Sequence, residues 1–241
     1  MSTVIDTSRR TAARIAGVGY LALFVLAIFA NFVVKQGMID PADAQATAAA
    51  ITEQEGMFRL GLTAFVVIFL LDIPVAWGLY VLFAPAGRTR SLLVAWFRIA
   101  YTVFLGVAAV FMFLGLQIAT GAVGSLDAEV ALLMFEAFDF AWFVGLLAFG
   151  VHLITLGALI LRSRIAPRAI GVILAVAGAA YALDTVLHVL LVDYAAIADV
   201  MLAIVAVPSI VAEFAFTIWL LLAGRRSSAV TREEERELVA A

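Results

Sequence analysis

Three residues with chemically active side chains follow one another at helical spacing near the end of a long apolar stretch. Asp184 and His188 are four residues apart, and Tyr181 precedes Asp184 by one turn, so a helix places all three on one face. A carboxylate one turn from an imidazole can fix the ring's tautomer, bind a metal or relay a proton. Glu136 and Asp139 lie at a similar depth on the preceding apolar stretch. We therefore expect these five residues to form an outward-facing ligand or proton site.

A second group of polar residues is distributed over the other apolar stretches. Its members are Asp72, Arg98, Tyr101, His152 and Glu213. A lone charge at the centre of a bilayer costs roughly 2.5 to 3.5 kcal/mol, so Arg98 should be paired. At a rise of 1.5 Å per residue, Arg98 should lie about 9 Å from the inner end of its span. On the same rise, Asp72 and Glu213 should lie about 15 to 16 Å from the inner ends of theirs. An extended arginine side chain can bridge that difference, so we expect an inner polar cluster with Arg98 paired to Asp72 or Glu213.

Other interpretations of these polar residues remain open at the level of sequence. Interhelical hydrogen bonds that hold the spans together would require the same residue types. A membrane-embedded metal-dependent hydrolase would usually need several histidines, and the chain has two. On one straight helix His152 and Asp139 point about 140° apart, so a single site cannot use both. No HExxH, GxSxG or phosphate-binding glycine loop is present. The sequence therefore identifies no metal ligands, no catalytic residue and no cofactor.

The composition explains why these polar groups are unusual. Of 241 residues, 66% are hydrophobic and 14% are charged, whereas soluble domains are about half apolar and a quarter charged. There is no cysteine, which excludes disulfide bonds and thiolate ligands. The chain therefore has the composition of an all-α polytopic membrane protein.

Six apolar runs are each long enough to cross a bilayer, which requires about 20 residues. The first is longer than a signal-peptide core and lacks a clear cleavage site, so we interpret it as an uncleaved span. The predicted spans are residues 15–34, 58–83, 92–117, 130–161, 167–192 and 200–223. We expect one six-span domain over 1–241, with a cytoplasmic N-terminal segment at 1–14 and a cytoplasmic charged tail at 225–241.

The basic residues are distributed asymmetrically about these spans. Lys35 and Arg59 fall on the side opposite to the termini, and Arg98 lies within a span. All the others are on the terminal side: Arg9, Arg10, Arg14, Arg88, Arg90, Arg162, Arg164, Arg168, Arg225, Arg226, Arg232 and Arg236. By the positive-inside rule we expect both termini to be cytoplasmic, with the chain in the inner (plasma) membrane.

Two local patterns predict how the spans are connected and packed. Asp40 followed by Pro41 has the form of an N-cap and a first helical residue, and predicts an external helix that ends at Gly56. Gly171, Ala175 and Ala179 form a stripe of small residues on span five, where a neighbouring helix can approach closely.

Four segments of this chain resemble, in order, an uncharacterised bacterial family of multi-span integral membrane proteins, domain of unknown function 4386. They are GLYVLFAP at 78–85, WFRIAYTV at 96–103, FGVHLITLGALILRSRIAPRAIGVILAVAGAAYALD at 149–184 and EFAFTIWLLLAG at 213–224. The polar positions similar to recurring ones of that family are Arg98, His152, Ser163, Pro167 and Glu213. The resemblance implies a multi-helix membrane fold and carries no established activity.

Together these features favour a membrane protein that binds or transports a small ligand, an ion or a proton at a buried polar cluster. A metal-dependent hydrolase and a non-catalytic accessory protein are the alternatives. The expected partners are the lipid bilayer and a small-molecule or ion ligand, without nucleic acid. Whether the chain forms a homo-oligomer is open.

The topology can be tested with reporter fusions. Fusions after Arg90, Ser163 and Arg226 should report the cytoplasm, because they follow arginine-rich turns. Fusions near 47, 124 and 195 should report the exterior. A single loop on the wrong side would contradict the six-span topology.

Overall fold

The computed structural model describes residues 8–124 and 126–240, and only the backbone for 226–240. The described residues form helices and connecting turns, with no strand among them. Six helices are long and apolar enough to cross a membrane. The protein is thus a polytopic α-helical membrane protein, as the composition predicts.

The described residues form seven helices, of which six are long and apolar enough to span a membrane and one is short. The first span continues through a π-helical segment at Phe29–Lys35, the second ends in a 3-10 turn at Ala84–Ala86, and the last follows a 3-10 turn at Tyr194–Ile197. The helices are α1 (Arg9–Met38), α2 (Ala44–Glu53), α3 (Glu55–Phe83), α4 (Arg88–Ala119), α5 (Ala128–Ser163), α6 (Arg168–Leu190) and α7 (Ala198–Ala240).

The six spanning helices form a closed ring. Each packs against the next along the chain, and α7 returns to pack against α1. The N-terminal end of α1 and the turns after α3 and α5 lie at one end of the bundle, which we call the terminal face. The short helix α2 and the connections after α4 and α6 lie at the other end, which we call the loop face. At the terminal face the Arg14 side chain donates a 2.9 Å hydrogen bond to the Gly224 carbonyl, which joins α1 to α7.

The first helix starts earlier than its hydrophobicity suggests. Its N-cap is Ser8, whose hydroxyl accepts a 3.2 Å hydrogen bond from the Thr11 amide. Residues 9–14, predicted as part of a polar N-terminal segment, are therefore the first turns of α1. An N-cap serine begins a helix whether or not the following residues are apolar.

The predicted external helix is present as α2, but its N-cap is not the predicted Asp40. The N-cap is Asp43, which accepts a hydrogen bond from the Ala46 amide, whereas Asp40 accepts from the Ala42 amide in a preceding turn. The helix ends at Glu53, and Gly56 already belongs to α3. Helix α2 lies across the loop face against α4 and α5, where the Thr52 hydroxyl donates to the Ala119 carbonyl at 3.2 Å.

Glycines bring α5 and α6 into backbone contact. A Cβ atom on Gly157 would lie 2.4 Å from the Gly171 carbonyl oxygen, and one on Gly178 would lie 2.4 Å from the Gly150 oxygen. The predicted stripe is correct at Gly171 and at Ala175, which also faces Gly157, but it continues through Gly178 rather than the exposed Ala179. Seven residues turn a helix to within about 20° of its starting direction, whereas eight overshoot by about 80°.

Substitution of Gly178 should separate the two helices. We expect Gly178→Ala to lower the midpoint of thermal unfolding by several degrees, because the added methyl group overlaps the Gly150 carbonyl and overpacking costs about 1 to 3 kcal/mol. Gly56→Ala is the control, since nothing lies within 4 Å of a Cβ atom there. Equal midpoints for the two variants in detergent would contradict the close contact.

Candidate functional site

Polar side chains from all six spanning helices meet in the middle of the bundle. They lie between 10 residues (Arg88 to Arg98) and 13 residues (Arg168 to Tyr181) from the terminal-face end of their helices, where α7 is counted from Arg225, the end of its membrane span. That spacing corresponds to about 15 to 20 Å along a helix axis. We call this set the interior polar cluster: Tyr20 of α1, Asp72 of α3, Arg98 of α4, His152 of α5, Tyr181 of α6 and Glu213 of α7.

A buried ion pair lies at the centre of the cluster. The Arg98 Nε donates to the Asp72 Oδ1 at 2.8 Å, and the Nη2 lies 2.5 Å from the same oxygen. The other Asp72 oxygen accepts a 2.9 Å hydrogen bond from the Thr102 hydroxyl. Asp72 and Arg98 are 1% and 2% exposed, so neither charge has access to solvent. The predicted pairing of Arg98 with Asp72 is confirmed.

The remaining nitrogen of Arg98 joins two further helices to this pair. The Nη1 donates to the Tyr20 hydroxyl at 2.5 Å and lies 3.5 Å from the His152 Nε2. On its other side the His152 Nδ1 is 2.8 Å from the Val94 carbonyl oxygen. Because a carbonyl can only accept, the Nδ1 carries the proton and the Nε2 presents a lone pair to the guanidinium. The arginine therefore connects α1, α3, α4 and α5.

Glu213 lies in the same region but is not part of the ion pair. Its carboxylate interacts with the Tyr181 hydroxyl and, at longer range, with Arg98 and Asp72. Among the described residues, no basic nitrogen lies within 4.0 Å of the Glu213 carboxylate, the largest separation of an ion pair. The cluster therefore contains one guanidinium and two carboxylates, and only Asp72 is directly neutralised.

Aromatic rings line the cluster on the side toward the loop face. Tyr101 packs 4.9 Å from Phe149, and Phe149 packs 5.6 Å from Tyr181, measured between ring centroids. Phe149 also stacks on His152 and lies 5.6 Å from the Arg98 guanidinium carbon. Tyr101 thus lies beside the ion pair, as the sequence predicts, but it contacts rings rather than charges.

The five residues predicted to form one outward-facing site lie in separate contacts. Asp139 of α5 forms an ion pair with Lys35 of α1, whose ammonium group also lies 5.6 Å from the Phe138 ring centroid. Glu136 is exposed one turn away. Asp139 and Glu136 therefore do not join Asp184 and His188, because a cation on a different helix lies closer to Asp139.

Asp184 and His188, also predicted for the outward-facing site, lie in a second group of contacts. Asp184 is buried and accepts a 2.6 Å hydrogen bond from the hydroxyl of Tyr194, in the 3-10 turn before α7. The His188 ring stacks on Phe143 at 4.4 Å and contacts Tyr194 at 4.3 Å. Its Nδ1 is buried without a hydrogen-bond partner among the described residues. Tyr181, which shares their helix face, lies deeper and joins the interior polar cluster instead.

Several residues of these contacts were not predicted as site residues, among them Tyr20, Lys35 and Tyr194, although the sequence contains a signal for Tyr20. Tyr20 lies 11 residues beyond Arg9, about 16 Å into its span, the depth estimated for Asp72. The same depth estimate applied to span one would have selected it. Lys35 and Tyr194 lie near connections, where depth does not indicate the partner helix.

The described residues contain no group of three or more His, Cys, Asp or Glu side chains that could hold a metal ion.

Charge reversal tests the ion pair. We expect Asp72→Arg or Arg98→Asp alone to reduce the yield of folded protein strongly, because each leaves unpaired charge in the hydrocarbon at a cost of about 3 to 5 kcal/mol. The double exchange should restore part of that yield. The recovery should be incomplete, because Tyr20 and His152 would then face a carboxylate and Thr102 a guanidinium. Fluorescence size-exclusion chromatography measures the folded fraction.

The exposed pair of Arg59 and Glu55 provides the control. Its side chains are 47% and 41% exposed, so Arg59→Ala should change stability by less than about 1 kcal/mol. Full tolerance of Arg98→Ala together with intolerance of Asp72→Ala would show that the pair does not determine stability.

Comparisons with known proteins find a relative and a family model that match this chain. An uncharacterized protein of Archaeoglobus fulgidus is 29% identical over 163 residues, which span 68% of this chain and 83% of the relative. No solved structure matches the chain significantly. The family described as domain of unknown function (DUF4386) matches residues 15–224, from the first span to the last. Since that match covers most of the sequence, the protein belongs to this family.

Proposed function

We propose that the protein binds a small ligand, an ion or a proton at the interior polar cluster and moves it across the membrane. The observation that carries this proposal is the environment of Glu213. Its carboxylate lies in the membrane interior beside an ion pair that is already neutralised, and among the described residues no basic group forms an ion pair with it. An intramembrane carboxylate of this kind is stable when it takes up a proton or a cation.

The structure of the ion pair supports Glu213 as the group that changes its charge. Asp72 has both oxygens occupied, by Arg98 and Thr102, and is buried. Arg98 in turn contacts Tyr20 and His152. Exchange of a ligand at Asp72 would break several contacts at once, whereas exchange at Glu213 leaves the ion pair intact.

The cluster also has the arrangement expected of a transport site. Each of the six helices contributes one polar side chain, so a displacement of any helix changes the environment of the others. Binding near the midplane, between helices that move relative to one another, is the common arrangement in secondary transporters. A purely structural role would not require a second carboxylate.

A series of polar side chains provides a route from Glu213 toward the loop face. Tyr181 contacts Glu213, Asp184 is one turn further along α6, and His188 is one turn beyond Asp184. Tyr194 hydrogen-bonds to Asp184 and packs on His188. We propose that this series, the remaining part of the predicted outward-facing site, is the access route for the ligand or proton.

For orientation, we propose that the terminal face is cytoplasmic and that the chain resides in the inner membrane. The support is the distribution of basic residues, which cluster on the terminal side. Lys35 and Arg59, on the loop side, are both paired with carboxylates, Lys35 with Asp139 and Arg59 with Glu55. The route described above would then open to the exterior.

The proposal predicts that ligand or proton binding depends on Glu213. Purified full-length protein would be screened by thermal unfolding against organic cations, organic anions, neutral solutes and inorganic cations. A ligand at 100 times its Kd adds about 2.7 kcal/mol and should raise the midpoint by several degrees. The same protein in liposomes with a trapped pH dye and an imposed potassium diffusion potential measures proton flux.

We expect a stabilising ligand or a proton flux in the wild type that is lost in Glu213→Gln. Glu129→Gln is the matched control, because Glu129 is an exposed carboxylate in the first turn of α5. Glu213→Gln has no ion-pair partner to leave behind, so it should remain folded. If no solute class and no proton flux depends on Glu213, the cluster is structural, as expected of an accessory protein.

A further inference from the structure

The chemistry around Glu213 indicates what kind of ligand the site selects. Tyr181 is the polar neighbour from α6, and Ser209 lies one turn before Glu213 on α7. Ser209 is 3% exposed, and its hydroxyl faces the Tyr181 hydroxyl, as the Glu213 carboxylate does. Thr217, one turn after, donates to the Glu213 backbone carbonyl at 2.7 Å and is therefore occupied. The site thus combines a carboxylate with two neighbouring hydroxyl groups, which favours a ligand that carries a charged or polar group.

Aromatic rings adjoin Glu213. We call them the aromatic wall: Tyr101 of α4, Trp142 and Phe149 of α5, and Tyr181 of α6. The rings of Tyr101, Phe149 and Tyr181 contact one another in sequence, and the buried Trp142 Nε1 faces the Tyr101 hydroxyl. An aromatic surface that ends at Tyr181 therefore adjoins the carboxylate.

The rings of this region already bind one cation. The Arg98 guanidinium carbon lies 4.4 Å from the Tyr20 ring centroid and 5.6 Å from that of Phe149, within the range of cation–π interaction. The electron-rich faces of these rings attract cations and repel anions. Organic ammonium and quaternary groups, which carry apolar substituents, gain the most from such faces.

Accessibility separates the carboxylate from the ion pair. Asp72 and Arg98 are almost fully buried, whereas Glu213 and Tyr181 remain partly exposed between α6 and α7. Neighbouring positions on those helices are exposed and apolar, such as Leu183 and Phe214. A ligand that reaches Glu213 along this seam meets apolar surface first, so an apolar body on the ligand is favoured.

On these grounds we propose that the site takes lipophilic organic cations, amines or quaternary ions that carry apolar or aromatic groups. The cation's charge pairs with Glu213, and its apolar body packs on the aromatic wall. This inference rests on the proposed function, because it names the ligand class for the same carboxylate.

The test uses two ions of the same size and opposite charge. Full-length protein in lipid nanodiscs would be titrated with radiolabelled tetraphenylphosphonium and with tetraphenylborate, and binding to protein-free nanodiscs subtracted. We expect saturable binding of tetraphenylphosphonium alone. Glu213→Gln should weaken it at least tenfold, Glu213→Asp should retain most of it, and Glu129→Gln should not change it. Trp142→Leu should weaken it about fivefold, the size of one cation–π contact.

Specific outcomes would overturn the inference. Saturable binding of tetraphenylborate, or equal binding of tetraphenylphosphonium by wild type and by a folded Glu213→Gln, would show that the site does not select cations. If the ligand screen and proton flux depend on Glu213 but tetraphenylphosphonium does not bind, the ligand class is wrong and the proposed function stands. If nothing depends on Glu213, the proposed function itself fails.

Discussion

The ion pair of Arg98 with Asp72 is the interaction on which the arrangement of the bundle depends. In water such a pair contributes little, but inside a bilayer each partner alone would cost several kcal/mol. The guanidinium has five N–H donors in a fixed plane, and it uses them toward Asp72 on α3, Tyr20 on α1 and His152 on α5. Four helices must therefore hold their rotation and depth together. The apolar side chains that fill the space between these helices could accept many other registers.

The ring of helices determines what the remaining polar groups can do. Helices α6 and α7 close the ring and carry Tyr181 and Glu213. Glu213 interacts with the ion pair only at longer range, and Tyr181 packs on Phe149. The result is an interior with two different parts, one charge-balanced and sealed, the other acidic and partly exposed. We propose a binding function because of this division, since simple helix association would need only the sealed part.

Sequence reasoning worked where one physical rule dominates. Length and hydrophobicity gave all six spans, and the cost of a lone charge together with the helical rise limited the partner of Arg98 to Asp72 or Glu213. It did less well where the choice of neighbour matters. Asp139, Asp184 and His188 have suitable depths and faces, but the sequence does not say that Lys35 approaches Asp139 from α1 or that Tyr194 turns back onto Asp184. The Asp43 cap was also missed, because Asp40 followed by Pro41 has the same local form.

The glycine contacts between α5 and α6 have a mechanical meaning. Where two backbones meet at Gly157 and Gly171, and again at Gly150 and Gly178, there is no layer of side chains that could change rotamer and allow sliding. These helices form a rigid pair that carries His152 and Tyr181 at a fixed separation. Any rearrangement that exposes the interior alternately to the two sides of the membrane must then use the other seams. Helix α7 meets the rigid pair through Tyr181 and Glu213, so it is the element whose tilt relative to that pair would open or close access.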